Sequence, residues 1–357
     1  MKSDHKIRPF EARDAAGVSE VLKAVYHEKA PSMNAYNWWS FGCPESTSGF
    51  MVAEVEDQLV GVQPMEIMSY KDGSRNTKGG LLTGVAVHPD YRRRGIFSDL
   101  VRACEQEAWR QNAAFVTTMP NERSRPGFLK MGYIDLGCRQ LLLRPLAPRA
   151  IAKKKLSIPL IASLIGFSAA FAQGIVKPLS HDGDLPVTET SDLEGMVAQL
   201  EESTASLFPG LRVRRTPSWW RWRYLQSPAR DYSIFTATTK KGQPAGLAAV
   251  ATETRDGLST AYLMDIAVNA LESLPPLVRK ILEVLSQRGV ELFCAVTSSD
   301  AMSRALRRTG FWQVPTWVPV KRFYTVAKFN PAVETQIAPQ WRKMSGWYQM
   351  LGDWDNV

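Results

Sequence analysis

Residues 83–97 read Thr-Gly-Val-Ala-Val-His-Pro-Asp-Tyr-Arg-Arg-Arg-Gly-Ile-Phe, and this stretch limits the possible fold more than any other. An apolar, β-branched run ends at His88-Pro89, where proline disfavours further regular pairing. Three arginines and Gly95 follow. Phe97, Leu100, Val101, Cys104 and Ala108 then recur at the spacing of one helix face. A strand that enters a helix through a glycine turn suits layers of strand and helix. It also leaves the first amides of the helix without partners, at the end where the helix dipole favours an anion.

The flanking sequence fits such layers. Ile7–Phe10 reads as a strand, and Val18, Val21, Leu22 and Val25 mark one face of a helix. Phe50–Val55 and Leu59–Met68 read as strands joined by a turn at Glu56-Asp57-Gln58. Asp72-Gly73 marks a further turn, Leu81–Val87 the next strand and Phe115–Met119 another. A short helix ends at Met131-Gly132-Tyr133.

The turn resembles the acyl-CoA pyrophosphate loop of the GNAT acyltransferases, Arg/Gln-x-x-Gly-x-Gly/Ala. Here it reads Arg92-x-x-Gly95-x-Phe97, without the last small residue. Asn121 followed by Gly132-Tyr133 resembles a later motif of that family. The resemblance spans about residues 5–145. It implies an α/β (α+β) fold with a mixed, mostly antiparallel central sheet flanked by helices.

The second half repeats the theme at low identity. Tyr232–Thr238, Ala245–Thr252 and Ala261–Val268 read as strands, Leu277–Gln287 as a helix and Leu292–Val296 as a strand. Ala301–Phe311 mirrors the helix before Gly132-Tyr133. After Val268, however, Asn269 to Pro276 contains no arginine-glycine turn, and its two prolines have no N–H for a phosphate. The expected organisation is a GNAT domain with the acyl-CoA site over 1–148, an apolar linker over 149–185, and a second, degenerate GNAT-like domain with a C-terminal tail over 186–357.

Composition narrows the functional classes. The formal net charge is +9, which suits an anionic cofactor or surface, and no nucleic-acid recognition motif accompanies it. The four cysteines are scattered and form no Cys-x-x-Cys pair or zinc pattern, so neither a metal nor a disulfide framework is expected. The N-terminus opens no apolar signal segment, and the expected location is the cytoplasm. Residues 156–176 carry no charge and lie between lysines. The segment reads as a helix between domains, as a peripheral contact on a membrane surface, or as a span.

The resemblance also implies roles. Arg92, Arg93, Arg94, Gly95, Ile96, Phe97 and Ser98 form the pyrophosphate loop, with the backbone amides of Arg93, Arg94, Gly95, Ile96 and Phe97 toward the phosphates, the arginine side chains on the 3′-phosphate or in solvent, and the Phe97 ring turned into the core. Backbone groups of Val85, Ala86 and Val87 pair with the pantetheine arm as an added strand. Asn121 contacts CoA or caps the helix after it. Glu66 is the candidate general base, with a solvated strand carboxylate as the alternative; His88 is read as structural. The tyrosine that commonly protonates the departing thiolate is replaced by Phe128, and Tyr133 is expected to point inward. The aromatic clusters Trp38-Trp39-Phe41 and Trp219-Trp220-Trp222-Arg223-Tyr224 read as core packing or as a wall for an acceptor. The implied activity is transfer of an acetyl or small acyl group from acyl-CoA to a primary amine, such as an amino sugar, by direct attack. The alternatives are a non-catalytic acyl-CoA sensor and a membrane-associated acyltransferase with a lipid-linked acceptor.

Overall fold

The computed structural model describes residues 5–152 and 185–354, apart from Glu194, Asp256 and Pro319. The apolar 156–176 segment lies outside these residues. The chain forms two compact units, and they do not follow the boundaries drawn at 148 and 186. The first comprises residues 1–137, 227–229 and 324–343; the second comprises 138–226, 230–323 and 344–357.

The first unit contains β1 (Lys6–Pro9), α1 (Ala15–Tyr26), α2 (Met33–Phe41), β2 (Thr47–Ser48), β3 (Met51–Val55), β4 (Gln58–Gln63), β5 (Met65–Asp72), β6 (Arg75–Leu82), β7 (Ala86–Val87), α3 (Ile96–Arg110), β8 (Phe115–Thr118), α4 (Arg125–Lys130) and β9 (Ile134–Cys138). One sheet is four-stranded, in the order β1-β3-β4-β7. Its residues face two cores, and the bulge opposite Ala53 and Glu54 sets Val60 and Val62 on opposite sides. Val52 and Val62 face Val18, Val21 and Leu22 of α1, whereas Ala53 and Val60 face Leu100, Val101 and Cys104 of α3. The period-two strand pattern and the helical spacing therefore meet in a three-layer stack.

The run Leu59–Met68, expected as one strand, is divided at Pro64. Proline lacks the N–H a continuous ladder needs, and β4 and β5 enter different sheets. Leu81–Val87 is divided likewise, at Thr83-Gly84-Val85, between β6 and β7. Gly84 has φ +49°, a left-handed value that costs glycine little. Beyond these breaks β5 continues antiparallel to β6, and β6 runs parallel to β8.

The next neighbour of β8 comes from far along the chain. Strand Tyr324–Phe329 pairs antiparallel with β8, Val326 opposite Thr118 and Phe329 opposite Phe115, and lies between β8 and β9. The Thr117 hydroxyl donates to the Val326 carbonyl at 2.9 Å, and Lys328 pairs with Glu105 at 2.7 Å. Past this strand, the Trp341 indole donates to Asp72 at 2.7 Å.

The second unit holds a seven-stranded sheet. Its strands are β10 (Gln140–Pro145), β11 (Val187–Glu189), β13 (Tyr232–Thr238), β14 (Pro244–Arg255), β15 (Leu258–Val268), β16 (Leu292–Thr297) and β17 (Trp312–Gln313); β12 (Arg212–Val213) is a short separate strand. The order is β11-β13-β14-β15-β16-β10-β17, and β12 is not one of these seven strands but belongs to a different sheet. As in the first unit, two antiparallel strands lead to a strand, a helix (Leu274–Gln287) and a parallel strand. The fold class expected from the sequence is thus present: mixed sheets, mostly antiparallel, flanked by helices.

Candidate functional site

The arginine turn is built by two left-handed residues on either side of Arg94. Arg93 has φ +65° and Gly95 φ +88°. Pro89–Tyr91 form a single 3₁₀ turn, closed by the Tyr91 amide donating to the His88 carbonyl at 3.0 Å. The His88 ring accepts from the Asp90 amide at 3.4 Å, a structural role for this imidazole. The first α-helical bond of α3 runs from the Asp99 amide to the Gly95 carbonyl at 3.1 Å. The amides from Arg93 to Ser98 therefore precede the helical ladder, and among the described residues they meet no acceptor. Alternation of left- and right-handed residues at a helix start forms an anion-binding concavity.

The arginine side chains are exposed. Arg92 Nε donates to the Val87 carbonyl at 3.2 Å, and Arg94 donates to the Asp90 carbonyl at 3.3 Å while lying 4.9 Å over the Tyr91 ring. Both thereby brace their own loop. Phe97 turns its ring away from the turn, edge-on to Phe128, with centroids 5.2 Å apart. A methyl group on Gly127 would lie 2.9 Å from that ring, so the glycine creates the seat for Phe97.

Of the residues expected to receive a pantetheine arm, Ala86 and Val87 form β7 and pair with Val62 and Gly61. β7 is the terminal strand of its sheet, so its other edge carries no strand from that sheet. Val85 lies in the break before β7, half-exposed, because the ladder of β6 ends at Leu82 and that of β7 starts at Ala86. β6 accompanies β8 only as far as Leu82 opposite Thr118, whereas β7 pairs with β4 in the other sheet.

Buried side chains that spacing does not reveal fasten this split. Gln63 Nε2 donates to the carbonyls of Pro64 and Thr83, at 2.8 and 2.9 Å. The Trp39 indole donates to the Thr83 hydroxyl at 3.2 Å. The sequence offered one clue, a glutamine within an apolar run immediately before proline.

Glu66 lies on β5 and is 2% exposed, which excludes a solvated strand carboxylate. Strand β2 pairs Ser48 with Glu66, and this brings the Ser46 hydroxyl to 2.5 Å from Glu66 Oε2. Burial raises the Glu66 carboxyl to about 8, against the opposing pull of the Ser46 hydrogen bond. A carboxylate with such a value accepts a proton near neutrality, as a general base requires.

Asn121 caps the turn ahead of α4: its Oδ1 accepts from the amides of Arg123 and Ser124, at 3.0 and 2.9 Å. Phe128 is buried, and Tyr133 is turned inward against it, with centroids 5.1 Å apart. Burial raises the Tyr133 phenol well above its usual range, so it is a poor proton donor to solvent-facing chemistry.

Of the aromatic clusters, the first is partly exposed: Phe41 is exposed, stacked against Phe50 and tilted against Phe10, while Trp39 is buried. In the second unit Trp219, Trp220, Trp222 and Tyr224 are buried together. There the Trp220 indole donates to Glu201, and the Tyr224 hydroxyl to Asp265, both at 3.2 Å. Arg215 joins Asp265 at 2.5 Å and Asp353 at 2.8 Å, while Arg223 donates to the carbonyls of Gly352 and Trp354. The C-terminal tail is thereby fastened into this unit. Its helix Leu274–Gln287 starts with prolines in the first turn, where α3 has donors.

Among the described residues, no helix is long and apolar enough to cross a membrane, and no group of His, Cys, Asp and Glu is placed to hold a metal ion.

Comparison with known proteins agrees with the fold. Residues 6–134 match the family model of the acetyltransferase (GNAT) domain. A GCN5-related N-acetyltransferase from Anabaena variabilis is similar in structure, with TM-score 0.65 and 15% identity over 91% of this chain and 72% of its own. One from Kribbella flavida gives 0.59 and 12% identity, over 92% and 71%. The Saccharomyces cerevisiae N-myristoyltransferase, solved with bound myristoyl-CoA, gives 0.60 and 10%, over 93% and 82%. No curated protein matches the sequence significantly. The family model over residues 6–134, on a mixed α/β fold shared with these structures, marks that part of the chain as a GNAT acetyltransferase domain.

Proposed function

We propose that the chain is an N-acyltransferase that moves an acetyl or other small acyl group from acyl-CoA to the primary amine of a small molecule, an amino sugar being one such acceptor. The observation that carries this reading is the run of amides from Arg93 to Ser98, held open at the start of α3. In the proposal these amides grip the pyrophosphate, and the outer edge of Ala86-Val87 pairs with the pantetheine arm. The myristoyl-CoA bound by the yeast structural neighbour supports a thioester donor.

Glu66 serves as the base for direct attack of the amine on the thioester carbonyl. Phe128 has no proton to give, so CoA leaves as a thiolate, which a thiol's moderate acidity tolerates. The second unit, repeating the strand–helix–strand order without the arginine-glycine turn, is the degenerate copy of a duplicated domain. Its role is to complete the protein rather than to hold a second CoA.

The buried Phe128 favours a second reading, an acyl-CoA sensor without turnover. Purified protein incubated with acetyl-CoA and a panel of amines separates the two. Amine-dependent release of free thiol, lost in Gly95→Glu, supports the enzyme. Tight CoA binding without release across the panel supports the sensor.

A further inference from the structure

Among the described residues, Glu66 Oε1 is buried and accepts no hydrogen bond, and Oε2 has the Ser46 hydroxyl at 2.5 Å. That hydroxyl also lies 2.8 Å from the Cys43 carbonyl oxygen. A hydroxyl carries one hydrogen, and an ionised carboxylate and a carbonyl are both acceptors only. The two short contacts therefore belong to two arrangements. With Glu66 ionised, Ser46 donates to Oε2. With Glu66 protonated, its O–H donates to Ser46 Oγ, and Ser46 donates to Cys43. Both arrangements use every hydrogen, so the group can change charge without rebuilding its surroundings.

Exposure distinguishes the two ends. Glu66 is closed off, whereas Ser46 is half-buried at the start of β2. Resting on the reading of Glu66 as the base, we propose that Ser46 is the hydroxyl through which the proton of the acceptor amine reaches Glu66. As the nitrogen lone pair forms the bond to the thioester carbonyl carbon and the C–S bond breaks to a thiolate, the N–H bond also breaks. Its proton bonds to Ser46 Oγ, and the hydrogen that Oγ held bonds to Glu66 Oε2. The new Ser46 O–H turns to the Cys43 carbonyl. Glu66 later returns its proton to water by the same route.

The test compares Ser46→Ala, Ser46→Thr and Glu66→Gln in the full-length protein with acetyl-CoA and a reactive amine. Ser46→Ala is expected to lose about 10- to 100-fold in kcat, with the KM for acetyl-CoA unchanged, because proton transfer is impaired and donor binding is not. Ser46→Thr, which keeps the hydroxyl, restores most of the rate. Full kcat in Ser46→Ala beside an inactive Glu66→Gln overturns the relay and leaves Glu66 as the base. Full activity in Glu66→Gln overturns the reading of Glu66 and the relay with it.

Infrared titration of the protonated carboxyl gives a readout independent of acyl transfer. The band is expected to titrate near 8 in the wild type and to be missing in Glu66→Gln. In Ser46→Ala its midpoint rises by about one pH unit, since a hydrogen bond to a charged acceptor is worth more than one to a neutral acid. A midpoint that does not move overturns the link between the two residues.

Discussion

Phe97 and Phe128 meet edge-on with their ring centroids 5.2 Å apart. They are also the two positions at which the chain departs from the GNAT pattern, the first in place of a small residue and the second in place of a tyrosine. One contact therefore contains both departures. The loop backbone keeps its conformation because the extra ring is housed against α4, over Gly127, rather than over the amides.

Phe97→Ala should open a cavity against Phe128 and destabilise the protein by about 2–4 kcal/mol, somewhat less than for a fully buried phenylalanine. Gly127→Ala should cost about 1–3 kcal/mol by overpacking, because the added methyl reaches the same ring. Combined, the two should cost less than their sum. Urea unfolding of the four proteins of this cycle checks it; strict additivity contradicts the described packing.

Gly95 has φ +88°, where a side chain is strained. Gly95→Ala should weaken CoA binding about 10-fold, by disturbing the amides that follow. Gly95→Glu should weaken it more than 100-fold, since a carboxylate then faces the phosphates. Calorimetric titration with CoA measures both, and unchanged affinity in Gly95→Glu would move the donor site elsewhere.

Glu66 gives the stability a definite pH dependence. Its carboxyl titrates at about 8 in the fold against 4.5 as a free group. Below 4.5 both states hold the proton. Between 4.5 and about 8 the unfolded chain has released a proton that the folded chain keeps, so stability falls as pH rises, and above that window the loss is complete. The slope approaches about 1.4 kcal/mol per pH unit. Glu66→Gln should remove this contribution and be more stable than the wild type above pH 8. Denaturation curves from pH 5 to 9 decide the matter.

Arg215 stands between Asp265 and Asp353, with all three side chains buried. Burial pushes Asp265 up to about 7 even with the guanidinium beside it. Arg215→Ala should destabilise the second unit by about 3–5 kcal/mol, because it leaves two carboxylates buried without their partner. Arg215→Lys should recover only part of this, since an ammonium cannot reproduce the forked contact. Thermal unfolding distinguishes the two variants.

Local features of the site were legible. The glycine turn and the apolar face of α3 depend on residues within about two helical turns of one another. The same holds for the prolines that deprive Leu274–Gln287 of donors. Two expected strands were drawn too long, at Pro64 and at Thr83-Gly84-Val85, because apolar periodicity continues across both breaks while the hydrogen-bond partner changes. The aromatic clusters were ambiguous in sequence, since a tryptophan that fills a core and one that lines a cleft are the same letter.

By itself the sequence determined that this chain carries strand–turn–helix units and a glycine turn that leaves the first amides of α3 open, for amide direction and side-chain periodicity follow from neighbours along the chain. Only the tertiary structure placed Ser46 on Glu66, Gln63 across the split at Thr83, and strand Tyr324–Phe329 beside β8. Such pairings are selected by which ladder edge and which core face remain open once the local elements have formed, and no short stretch of sequence encodes that choice.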